Sequence, residues 1–264
     1  MPTMLRSLWQ YRDFILGSVQ REFESKYRNS LLGATWTILQ PMAMILVYTV
    51  IFAQVMRAKL PGVETTFAYS IYLCSGVLTW GLFTEIVTKG QSIFIDNANL
   101  LKKINFPRMT LPLIMVLNAC VNFAIIFGLF LTFLVLSGNW PGWVTWAILP
   151  LLIVQLLLSV GLGMVLGVLN VFFRDVGHFF AIFIQFWFWL TPIVYPADIL
   201  PVQLKAWLHL NPMVPLITGY QSVLVKGQLP DWIWLAWPAG LGCLLCGLGW
   251  RMFRRHSSEM VDEL

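Results

Sequence analysis

From Met109 to Phe173 the chain runs 65 residues without one Asp, Glu, Lys or Arg. As a single helix, at about 1.5 Å per residue, this stretch would reach roughly 100 Å, about three times the hydrocarbon thickness of a bilayer. It has to fold back, and Ser137-Gly138-Asn139-Trp140-Pro141-Gly142 supplies the breakers and polar groups for that turn. Two membrane helices therefore flank the turn, and the chain is an integral membrane protein.

Composition agrees. Mean hydropathy is +0.75 and charged residues make up 11%, against about a quarter in soluble domains. Cys74, Cys120, Cys243 and Cys246 all fall in apolar segments. The C-x-x-C spacing of Cys243 and Cys246 has no further ligands beside it, so these thiols read as packing residues rather than a zinc or redox site. The N-terminus lacks the short apolar run and small-residue cleavage site of a removable signal.

Charge-poor stretches long enough to cross a bilayer predict spans at 36–56, 66–87, 110–136, 144–172, 179–195 and 232–252. A further apolar stretch at 206–225 is interrupted by His209, Asn211, Pro212, Pro215 and Gly219, and reads as two short helices at or dipping into the interface. The expected fold is thus all-α, with six transmembrane helices in one domain covering residues 1–264. With six spans both termini share a side. That side holds 13 of the 17 Lys and Arg, among them Arg6, Arg12, Arg21, Lys26, Arg28, Lys89, Lys102, Lys103, Arg108, Arg174 and Arg251, while Arg57, Lys59, Lys205 and Lys226 lie opposite. The positive-inside rule places both termini in the cytoplasm.

Before the first span, Leu5, Leu8, Trp9, Leu16, Val19, Phe23 and Tyr27 recur at helical spacing, with Arg6, Gln10, Asp13, Gln20, Arg21 and Glu24 on other faces. Such a segment, within residues 1–35, suits a helix lying along the cytoplasmic interface; packing on another domain would use the same amphipathicity.

No catalytic constellation is visible. The chain has no G-x-x-x-x-G-K-[ST] loop, no H-E-x-x-H and no G-x-S-x-G, and His178, His209 and His256 are far apart, so neither a metal nor a nucleotide is expected to bind this chain. An ion-coupled carrier would keep a carboxylate at membrane depth. Only Glu85 comes near, and with Lys89 four residues on it reads as a solvated i,i+4 pair at the end of the second span. The uncharged Gln40, Gln54, Asn118, Asn122, Gln155, Ser159 and Asn170 suit interhelical hydrogen bonds, and Gly161, Gly163 and Gly167 suit close helix approach.

In the fifth span Phe179, Phe180, Phe183, Phe186, Trp187, Phe188, Trp189 and Tyr195 crowd together. They fit lipid-facing or core packing, or a conduit wall on which sugar faces stack. The loop Asp96-Asn97-Ala98-Asn99-Leu100-Leu101-Lys102-Lys103-Ile104-Asn105-Phe106-Pro107-Arg108 predicts a short helix capped by Asp96 or Asn97 and stopped by Pro107. It would present Leu100, Leu101, Ile104 and Phe106 as a docking knob, or serve as a plain interfacial loop.

Two segments carry a family resemblance. Lys26-Tyr27-Arg28-Asn29-Ser30-Leu31-Leu32-Gly33-Ala34-Thr35-Trp36 runs into Pro41 of the first span, and Asn99-Leu100-Leu101-Lys102-Lys103 precedes Phe106-Pro107-Arg108. With Arg174-Asp175 and Asn211-Pro212, these resemble the membrane subunit of polysaccharide-exporting ABC transporters, the ABC-2 permeases that move O-antigen, capsule or teichoic acid. The Phe-Pro-Arg form is more similar to the O-antigen branch.

The resemblance implies a homodimeric permease in a bacterial inner membrane, served by two copies of a separate ATPase that binds ATP and Mg. It implies export of an undecaprenyl-diphosphate-linked polysaccharide, with no covalent chemistry in this chain and no nucleic-acid partner. Residues 96–108 would then be the coupling helix, acting through Asn99, Leu100, Leu101, Lys102, Lys103, Phe106, Pro107 and Arg108. Lys26, Arg28, Leu32 and Gly33 would receive the lipid diphosphate, and the helices within 199–226 would gate the periplasmic exit. Tyr48, Phe52, Trp187 and Tyr195 would line the channel. A lipid- or drug-exporting ABC-2 permease is the nearest alternative. A membrane glycosyl- or phosphotransferase would need grouped acidic residues, whereas Asp96, Asp175 and Asp198 stand apart.

Overall fold

The computed structural model describes residues 12–27, 33–55, 60, 65–102 and 110–263. Among these the regular elements are helices, with no strand. Helix α1 (Arg12–Tyr27) precedes a 3-10 turn (Gly33–Thr35) and α2 (Trp36–Thr49), which continues as a π-helical segment (Val50–Val55). Then come α3 (Ala68–Asp96), the one-turn α4 (Ala98–Leu101), α5 (Thr110–Leu136) and α6 (Ile148–Phe172). The chain ends with α7 (Asp175–Trp189), α8 (Val202–Leu208), α9 (Met213–Lys226), α10 (Trp232–His256) and α11 (Glu259–Glu263).

Four of the described helices are long and apolar enough to cross a bilayer: α3, α5, α6 with its 3-10 lead-in from Gly142, and α10; α2 is a shorter apolar helix. The protein is a multi-pass membrane protein. Helix boundaries differ from the sequence expectation at two places. α3 continues to Asp96, well past the charged residues that marked the end of the second span. α7 stops at Trp189 and spans only 15 residues, about 22 Å as a helix. The backbone from Leu190 to Tyr195 leaves the helix in turns that are fixed by side chains of α3 and α9.

α3 is the hub. It packs on α2, α5, α6, α7 and α9, and 72% of its apolar window is buried, against 22% for the peripheral α10. The α3–α6 crossing is close because glycines meet there. A Cβ at Gly90 would lie 2.9 Å from the Gly163 Cα, and one at Gly167 would run into the Gly90 carbonyl. Gly161 points the other way, toward α10, where a Cβ would come within 2.7 Å of the Cys246 amide nitrogen. The three glycines of α6 thus serve two different neighbours. Buried amides add fixed links: Gln155 Nε2 donates to the Thr79 carbonyl at 2.7 Å, and Asn170 Nδ2 to the Gln91 carbonyl at 3.0 Å.

α9 lies deep in the bundle. Met213, Leu216, Ile217, Tyr220 and Val223 are fully buried against α3 and its neighbours, so this helix dips into the fold rather than resting on its surface. α1 packs on α5; its Ile15 is buried, while Leu16 on the expected apolar face is exposed.

Candidate functional site

At the α1 end of the bundle, charges on α1 and α3 meet amides of α5. Lys89 Nζ lies 3.0 Å from Glu85 Oε1 within α3 and 3.4 Å from Glu22 Oε1 of α1. Asn122 of α5 donates to Glu85 Oε2 at 2.9 Å, and Asn118 donates to Glu22 Oε2. The i,i+4 pair read from sequence therefore forms, but it is not simply solvated: the Glu85 side chain is only 23% exposed and held across the interface by an amide. Sequence spacing could not reveal α1 as the third member, because Glu22 is 67 residues from Lys89.

Beside this network α3 breaks at Asn97 and α4 begins. The expected cap is absent. Asn97 Nδ2 donates back to the Ile93 carbonyl at 2.9 Å, and Asp96 accepts from Ser92 Oγ at 2.6 Å. Both side chains finish α3 instead of opening the next helix. Leu101 is turned into the core at 2% exposure and anchors the turn, whereas Asn99 and Lys102 are exposed. Lys103, Phe106, Pro107 and Arg108 lie outside the described residues. So do Arg28, Leu32 and the side chain of Lys26. Gly33 opens the turn into α2 at φ 51°, a left-handed conformation that favours glycine even though a Cβ there would meet nothing.

At the opposite end, Asn211 ties α7 to α9. Its Oδ1 accepts from Trp187 Nε1 at 2.9 Å and from the Met213 amide at 3.0 Å, and its Nδ2 donates to Thr191 Oγ1 at 2.9 Å. Tyr72 of α3 donates to the carbonyls of Pro192 and Tyr195, and Gln221 of α9 also donates to Pro192. The 190–195 turn is thereby clamped between two helices.

The four expected channel aromatics fall into separate groups. Tyr48 and Phe52 pack together with centroids 6.4 Å apart, and Phe52 continues to Tyr69 at 5.0 Å. Trp187 turns inward onto Trp80 and Phe83 of α3. Tyr195 is half-buried and donates to the Trp189 carbonyl at 2.7 Å. The exposed ring face of α7 is a different stripe: Phe179, Phe183, Phe186 and Trp189, at i, i+4, i+7 and i+10. Helical spacing contained this stripe, but it did not indicate which side of α7 meets α3.

Among the described residues no cluster of three or more His, Cys, Asp or Glu could hold a metal, and no cofactor site is evident.

What remains is a helical membrane scaffold with an ion-paired α1 end and a clamped, buried α9. Residues 15–225 match the ABC-2 type transporter family, and the chain belongs to it. It is a membrane subunit without a catalytic domain, and membership implies an ATPase partner. Over the full length of both chains it is 32% identical to the O-antigen export system permease protein RfbA of Myxococcus xanthus. It is 28% identical to the RfbA of Klebsiella pneumoniae, over 96% of this chain and 95% of that one. Identity to the polysialic acid transport protein KpsM of Escherichia coli is 19%, over 92% of this chain and 93% of that one.

Proposed function

We propose that this chain is the permease of an ATP-driven exporter that moves undecaprenyl-diphosphate-linked O-antigen polysaccharide across a bacterial inner membrane. The observation that carries the reading is the end-to-end match to an O-antigen export permease, with nothing left over in either chain. The weaker match to a polysialic acid transporter ranks capsule export second.

Two copies would assemble, each with six spans and both termini in the cytoplasm, and two ATPase subunits would bind ATP and Mg. Exposed apolar faces on α2, including Ile38, Met42 and Leu46, and the ring stripe of α7 would meet their counterparts in the second copy and enclose the path. Such a wall offers flat faces for sugars and no charged ring for ions. Tyr48, Phe52 and Tyr195 would flank it, and Trp187 would support it from behind.

Residues 96–108 would take the push from the ATPase. Leu101 fixes that segment to the core, so movement there would pass directly into α3. α8 and α9 would gate the periplasmic exit, with Asn211 coupling the gate to α7. Lys26, Arg28, Leu32 and Gly33 would receive the lipid diphosphate, the cations by charge-assisted hydrogen bonds.

Deleting the gene in its own host tests the reading. Lipid-linked polymer should build up on the cytoplasmic side while surface O-antigen disappears, with capsule unaffected. Normal O-antigen display with loss of another envelope polymer would reject it.

A further inference from the structure

A cavity of about 270 Å³ opens between α2, α3 and α5, and the O-antigen reading gives it no task. Its lining is graded. Trp36, Thr37, Gln40, Glu85 and Asn122 sit toward the α1 end. Met44, Val77, Leu78 and Ile126 line the deeper part, because α2 and α5 run inward from that end and α3 returns to it. A polar mouth above an apolar floor matches a lipid headgroup and the start of its chain.

The polar groups specify the headgroup further. None of the described lining residues is Lys, Arg or His, whereas Glu85 contributes a carboxylate; its Oε1 pairs with Lys89, a lysine shared with Glu22 on the side of a neighbouring cavity, its Oε2 accepts from Asn122, and each oxygen keeps a further lone pair to offer. Thr37 is 5% exposed, and its Oγ1 is buried without a hydrogen-bond partner. Pro41, one turn on, has no amide to donate to the Thr37 carbonyl, so that acceptor is freed as well. Asn122, whose Nδ2 is given to Glu85, adds its Oδ1, and Gln40 adds an amide at the exposed rim. Buried polar groups without partners are costly, and a set of acceptors beside a carboxylate calls for a cationic donor.

We propose that this cavity binds an ethanolamine phospholipid. Its ammonium, with three N–H donors, lies among Glu85, Thr37 and Asn122, its phosphate stays at the mouth beside the first turn of α2, and a chain follows Met44 and Leu78. An anionic headgroup would bring negative charge toward Glu85, and a choline headgroup has no N–H to offer.

The test uses the purified permease–ATPase complex, exposed to equal amounts of dioleoyl phosphatidylethanolamine, phosphatidylcholine and phosphatidylglycerol and then analysed by native mass spectrometry. The ethanolamine lipid should be retained about tenfold over either competitor, the difference expected of one charge-assisted hydrogen bond. Thr37→Val keeps the shape and removes an unpartnered hydroxyl, so it should fold normally and lose most of that preference. Glu85→Gln should lose it too. Equal retention of the three lipids, no retention because the second copy seals the cavity, or a preference that survives Thr37→Val would each overturn the proposal. Displacement of the bound lipid by a polyprenyl-diphosphate glycan would assign the cavity to the substrate and overturn it as well.

Discussion

Gly90 offers the sharpest test of the packing that holds α3 to α6. Replacing it by Ala places a Cβ 2.9 Å from the Gly163 Cα, 3.1 Å from its carbonyl carbon and 3.3 Å from its oxygen. All three are backbone atoms of the facing helix, so no rotamer change relieves the overlap and the helices must separate. Overpacking of this kind costs about 1–3 kcal/mol. Gly81 lies on the same helix, and a Cβ there would meet nothing within 4 Å. Both substitutions gain similar helix propensity, roughly 1 kcal/mol, so the difference between them isolates the overlap. At about 2–4 °C per kcal/mol, a scale taken from domains of comparable size, Gly90→Ala should melt roughly 2–12 °C below Gly81→Ala. Thermal unfolding of the purified protein in one detergent, followed by intrinsic fluorescence, gives the comparison. Equal melting temperatures would show that α3 and α6 do not approach as described.

Asn211→Ala should leave the Trp187 indole and the Met213 amide without their acceptor, costing about 1–3 kcal/mol for each group left buried. Hydrogen exchange should rise at the start of α9 while α6 stays protected, and export should fall. Glu22→Gln, which leaves the Glu85–Lys89 pair in place, should loosen α1 with little global effect, because the side chains of Lys89 and Glu22 are 41% and 49% exposed and such pairs are worth under about 1 kcal/mol. Faster exchange in residues 12–27 at an unchanged melting temperature is the expected signature. Phe186→Ala should lower polymer export without weakening ATPase recruitment, since the ring is exposed on α7 far along the chain from residues 96–108; equal loss of both would argue against a wall role.

How much of this was legible depended on what each segment meets. The uncharged run and its turn at 137–142 marked α5 and α6, because only membrane helices accommodate such a stretch. The breakers at Asn211 and Pro212 separated α8 from α9 and suggested two short helices at or dipping into the interface. That α9 is buried within the bundle, with Asn211 and Gln221 finding partners inside the fold, is a fact of tertiary contact that local pattern does not carry. The same limitation shortened α3. Glu85 and Lys89 marked the end of the span because their partners Glu22 and Asn122 are remote in sequence. α4 is too short for periodicity to separate the inward Leu101 from the exposed Lys102. On α7 the aromatic crowding was plain, but the inward side of Trp187 is set by Trp80 and Phe83, which no spacing within α7 encodes.

The central claim is that a partner's ATP hydrolysis drives polymer through this subunit. Its most direct test is translocation in proteoliposomes containing the permease, its ATPase and a labelled undecaprenyl-diphosphate glycan. Transport should require ATP, stop when the ATPase is catalytically inactivated, and ignore imposed proton or sodium gradients. Glycan carried across by the permease alone, driven by such a gradient, would contradict the account.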